Sequence, residues 1–140
     1  MIVPLLIAIV LAIDLNAVKS EPNLEKRSER ALENANAAMD AARAAYDHGD
    51  VDKAGQALDE LKESVDVCYK SLADSGKSPR GNMHFKHAEQ ATHAVLRRLE
   101  SFRDVVSAAE RDMVDSVRSH VSDVHDDLLD GIMSNGRKKK

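Results

Sequence analysis

The sequence predicts an all-α protein, an up-down four-helix bundle that follows a signal-like N-terminal segment. Three observations carry this. From Leu24 to Ile132 the apolar residues recur at steps of three and four, which places them along one face of a helix. No stretch after Glu21 alternates with period two, and β-branched residues do not cluster. Polar, Gly-bearing breaks at 47–50 and 74–82 divide the pattern into lengths suited to packed helices. A chain of 140 residues makes one such domain rather than two.

The chain opens on an unbroken apolar run of 12 residues, Ile2–Ile13. A run of that length matches a signal-peptide core and falls short of the roughly 20 residues that span a bilayer as a helix. Small residues around Ala17 and Ser20 suit a cut after Ala17, with Leu15 two residues before it. No Lys or Arg precedes the run, so the amino terminus alone supplies positive charge. Residues 1–20 are thus expected to be a signal peptide, residues 21–134 a bundle domain, and residues 135–140 a basic, disordered tail. The protein is then exported, periplasmic or extracellular, and keeps no stable membrane span after processing. A buried N-terminal helix of the domain is the alternative. No Cys follows the run, which excludes a bacterial lipoprotein anchor.

The first amphipathic segment carries Leu24, Ser28, Ala31, Ala35, Ala38, Ala42 and Ala45, flanked by Leu32, Met39 and Tyr46. Pro22 lies near its start, where a missing N–H costs nothing. A stripe made of Ala lets a partner helix approach closely. The segment stops at Asp47-His48-Gly49-Asp50, where Gly49 suits a left-handed residue and Asp50 the N-cap of the next helix. The second segment reads Val51, Ala54, Leu58, Leu61, Val65, Cys68 and Leu72, and ends in the polar linker 74–82.

The third segment reads Phe85, Ala88, Thr92, Val95, Leu99, Phe102 and Val106, and the fourth Val114, Val117, Val121, Val124, Leu128 and Ile132. No Gly or Pro separates them, so one helix of about 50 residues, roughly 75 Å long, competes with two. The stripe slips between 106 and 114, and Ser107-Ala108-Ala109-Glu110 has capping-box spacing. Both favour a tight connection within 105–112.

Composition excludes several function classes. There are 20 Lys+Arg against 24 Asp+Glu, a net charge of −4, and aromatic residues make up only 3%. Net acidity disfavours binding to a phosphate backbone, and four aromatic rings poorly supply a base-stacking surface, so no nucleic-acid partner is expected. The single Cys68 cannot form an internal disulfide. It falls on an apolar stripe, where a small buried thiol is the expected role; an intermolecular disulfide is the alternative. No catalytic serine elbow, phosphate-binding Gly loop, dinucleotide fingerprint or zinc-protease helix motif is present, and no catalytic residue or cofactor is expected.

Six histidines raise the possibility of metal binding. His84 and His87, at i and i+3, are the candidate ligands, with Glu89/His93, His120 and His125 further along. Carboxylate-bridged di-iron bundles need Glu-x-x-His pairs, and none occurs. His84 and His87 sit at a helix start, where solvation is the simpler role. The carboxylates fall on outward faces, where solvation also accounts for them. The tail Arg137–Lys140 is a solubilising end, or touches anionic lipid or polymer at about 1 kcal/mol per charge.

Ala44-Ala45-Tyr46, Gly49-Asp50 and Lys53-Ala54 resemble the turn of a tetratricopeptide hairpin, which implies two antiparallel helices. Stacked repeats make that family's peptide groove, and with no second copy no peptide site carries over. The leader together with Leu24-Glu25-Lys26-Arg27-Ser28-Glu29-Arg30-Ala31-Leu32, His84-Phe85-Lys86-His87-Ala88-Glu89, Leu96-Arg97-Arg98-Leu99 and Val124-His125-Asp126-Asp127-Leu128-Leu129 resembles small exported helical proteins of unknown function from soil bacteria. That resemblance implies a fold and a compartment, and no activity. The expectation is a non-enzymatic exported bundle with a structural or protein-interaction role in the cell envelope, its partner an unidentified protein or envelope component. The alternative is a periplasmic metal-binding or stress-response bundle using His84 and His87.

Overall fold

A computed structural model describes residues 14–134. The apolar run Ile2–Ile13 and the basic tail 135–140 lie outside the described residues. The elements are α1 (Leu15–Lys19), α2 (Leu24–Asp47), α3 (Val51–Asp74), α4 (Met83–Val105) and α5 (Arg111–Met133), with one 3-10 turn at Ala108–Glu110. The protein is all-α, with four long helices packed together and no strand among the described residues.

Side-chain caps start three of the four long helices. Asn23, Asp50 and Asn82 cap α2, α3 and α4 by accepting N–H bonds from Lys26, Lys53, and both His84 and Phe85. At the end of α2, Gly49 takes φ +78°, with the Gly49 N–H on the Tyr46 carbonyl and the Asp50 N–H on the Ala45 carbonyl, each at 2.9 Å. These two bonds satisfy carbonyls that the last turn would otherwise leave unpaired. Gly76 and Gly81, also at positive φ, shape the linker before α4.

The chain runs up, down, up, down as two antiparallel hairpins, α2–α3 and α4–α5. The hairpins pack with α2 beside α4 and α3 beside α5, each pair parallel, and α2 and α5 at opposite corners. The α2–α3 contact is the most extensive in the molecule. Its Ala31, Ala35, Ala38 and Ala42 face a stripe bearing Ala54 and Ala57, all buried. Small side chains bring the two backbones together, as the Ala stripe predicts. The expected core positions of α4 and α5 are all buried except Ile132, which is partly covered. Burying one such Leu, Val or Phe contributes about 1.5–3 kcal/mol.

Four buried hydroxyls escape a desolvation penalty by bonding back to their own helix. Ser28, Ser64, Ser71 and Thr92 donate to the carbonyls of Glu25, Glu60, Val67 and Ala88 at 2.6–2.8 Å.

The connection falls inside 105–112, but not by the predicted device. Val106 and Ser107 are extended, and Ser107 makes no side-chain cap bond. One carboxylate oxygen of Glu110 is buried without a partner, so the capping box does not form. The Ser107 N–H instead donates to the Tyr46 hydroxyl at 2.8 Å, and the Tyr46 ring sits edge-on to Phe102 at 5.6 Å. A phenol at the end of α2 therefore holds the fold-back of the other hairpin.

α1 falls in the segment the sequence assigns to the leader. Leu15 and Val18 join the hydrophobic core, and α1 packs on α2 and α3.

Candidate functional site

The two predicted ligands part company. Asn82 caps α4 and turns Phe85 into the core, which aims His84 at the seam with α2. Because α2 and α4 run parallel, their first turns adjoin. His84 Nε2 lies 3.2 Å from Glu25 and Nδ1 lies 3.1 Å from Glu29, one turn further along α2. The His84 side chain is 21% exposed, so the expected solvated histidine is an interhelical wedge. His87 faces solvent on α4.

The wedge is not an aligned pair of hydrogen bonds, since His84 Nδ1 is buried without a hydrogen-bond partner. A neutral imidazole donates through one nitrogen only, and ionised carboxylates only accept. Both contacts are attractive together when the ring is an imidazolium. Glu25 also accepts a hydrogen bond from Lys77 in the linker. That bond, ahead of the nearby His84 charge, holds the Glu25 carboxyl below its ordinary range against the opposing effect of burial. Among the described residues, no group of three or more His, Cys, Asp or Glu side chains is arranged to hold a metal ion.

His120 and His125 meet carboxylates across other helix seams, although Asp66 stays more than half exposed to solvent. His125 Nε2 meets Glu89 at 2.8 Å across the α4–α5 seam, with the His93 ring 5.6 Å from the His125 ring. His120 Nε2 meets Asp66 at 2.6 Å across α3–α5. Arg103 pairs with Asp115 at 2.5 Å between α4 and α5, and that hydrogen bond raises the guanidinium above its ordinary value. Arg98 pairs with Asp40 between α4 and α2. Each neighbouring pair of long helices except α2–α3 thus carries an ion-pair stitch. The α2–α3 pair has Asn34 instead, whose amide donates to Ser64 at 2.8 Å and to Glu60 at 3.3 Å.

Cys68 is buried on α3, as its stripe position predicts. Burial pushes its thiol up to about 12, so it stays protonated and unreactive at neutral pH.

Two concavities among the described residues are open grooves. One, of about 280 Å³, lies over the α4–α5 seam between Leu96, Glu100, Arg118, Ser119, Ser122 and Asp123. Arg118 is held there loosely, 3.8 Å from both Glu100 and Asp115. The exposed large apolar side chains gather mostly at one end. Met83 starts α4 and Met133 ends α5, 72% and 69% exposed. Among the described residues, no helix is long and apolar enough to cross a membrane.

No protein-family model matches this chain, and no curated protein is significantly similar to it.

Proposed function

We propose that this chain is an exported helical-bundle protein, not an enzyme, with a structural or protein-interaction role in the cell envelope. The observation that carries the reading is where the reactive side chains go. His84, His120, His125, Arg98 and Arg103 each meet a carboxylate on another helix. Side chains spent on holding helices together are not free to bind a substrate. The apolar run Ile2–Ile13 supports export.

Fusion to a reporter enzyme that folds only outside the cytoplasm tests the compartment. An active fusion is expected, and an inactive one with intact protein overturns export. Fractionation then tests the role. Envelope association that weakens with salt and disappears without residues 137–140 assigns contact to the tail, whereas salt-insensitive association assigns it to the helices. A protein free of the envelope under all conditions overturns the reading.

A second reading, a metal-binding or stress-response bundle using His84 and His87, draws on the two carboxylates beside His84. It requires His84 to leave Glu25 and Glu29 or to share them with the ion.

A further inference from the structure

We infer that residues 14–20 are a permanent part of the folded protein, so that any cut releasing the apolar run falls before Asp14 and not after Ala17. The inference rests on the export reading only for there being a cut at all.

Three observations meet at this segment. The first is burial: Leu15 and Val18 are 6% and 8% exposed within the core cluster, against α2 and α3. A helix of five residues is too short to persist alone, so packing is what maintains α1. The second is polar. Asn34 is buried on α2, its amide spent on Ser64 and Glu60, and its carbonyl accepts the Asp14 N–H at 3.2 Å. The strap therefore completes a polar network that ties α2 to α3. The third is its own fastening at both ends. The Asp14 carboxylate accepts the Ala17 N–H, and the Ser20 hydroxyl donates to the Ala17 carbonyl. Just beyond, Arg27 donates to the Glu21 carbonyl at 2.8 Å, and the Glu21 carboxylate sits 3.6 Å from both Lys26 and Arg30.

A cut after Ala17 would sever α1 inside its single turn. It would discard Leu15, the Asp14 cap and the partner of Asn34. It would also place a charged amino terminus directly beside the buried side chain of Val18. A cut after Ala12, with Val10 two residues before it, offers a small residue at the scissile bond and leaves the strap whole.

The full chain, expressed with its own N-terminus, decides the matter by intact mass of the exported fraction. A first residue at or before Asp14 is expected, and any later first residue overturns the inference. Purely cytosolic, full-length protein would overturn export instead, and the strap is then tested in that same chain. Leu15→Ser is expected to lower the melting temperature by on the order of 5–10 °C, while Leu15→Met stays near the parent. A Leu15→Ser chain that melts with the parent overturns the inference.

Discussion

Replacing Tyr46 by Phe should destabilise the bundle, and only while residue 107 carries an N–H. The Tyr46 hydroxyl accepts the Ser107 N–H at 2.8 Å, and its ring contacts Phe102 at 5.6 Å. Tyr46→Phe keeps the ring and removes the acceptor. Net hydrogen-bond contributions run about 0.5–1.5 kcal/mol, and Ser107 is exposed, so water recovers part of the loss and the lower half of that range applies. Ser107→Pro removes the donor from the other side. Ser107 already sits at φ −66°, and Val106 before it is extended at ψ 156°, the conformations proline requires of itself and its predecessor. A proline that fits also restricts the unfolded chain, which contributes about 0.4–1 kcal/mol and roughly offsets the lost bond. In urea unfolding, Tyr46→Phe should therefore cost about 0.5–1 kcal/mol in the parent and close to nothing in Ser107→Pro. Equal costs in both backgrounds would show that Tyr46 does not hold the fold-back through Ser107.

Leu61 and Phe102 are fully buried, so Leu61→Ala should cost about 2–5 kcal/mol and Phe102→Ala about 3–5 kcal/mol in the same assay; losses under 1 kcal/mol would contradict the core assignment. The Cys68 thiol is raised from 9.0 to about 12, so its contribution is whole below pH 9 and is lost as pH climbs toward 12. Stability measured from pH 8.5 to 11 should fall more steeply in the parent than in Cys68→Ala, and a thiol reagent at pH 8 should react only on unfolding. Spin labels at exposed positions 86 and 130 should lie on the order of 15–25 Å apart in the folded-back bundle, against about 66 Å for a continuous helix at ~1.5 Å per residue.

What the sequence could disclose was whatever depends on neighbours in the chain. The α4 and α5 stripes, the Gly49 turn and the Asp50 cap rest on spacing and local backbone geometry, and they appear where expected. The missed features depend on which helix lies beside which. His84 at a helix start reads as solvated until α2 is known to run parallel to α4, with Glu25 and Glu29 opposite it. Asn34 sits off the Ala row of α2, and nothing in its own helix signals that Asp14 and Ser64 would meet it. Ser107 and Glu110 have capping-box spacing, yet the bond goes to Tyr46, sixty-one residues away. Leu15 and Val18 lie just past an apolar run, beyond Asp14, so a processing segment and a buried strap look alike in composition. The apolar run Ile2–Ile13 and the tail 135–140 lie outside the described residues.

His84, His120 and His125 brace neighbouring helices, and melting with and without copper, zinc or nickel decides whether His84 serves the bundle or a metal. A metal bound to the folded state stabilises by RT ln(1 + [L]/Kd), about 2.7 kcal/mol at a hundredfold excess over Kd, a shift of several degrees for a domain of this size. His87 faces solvent while His84 is wedged between Glu25 and Glu29, so no shift that depends on these two histidines is expected. A rise of several degrees that is abolished by His84→Ala with His87→Ala would contradict that expectation and establish the metal-binding reading in its place.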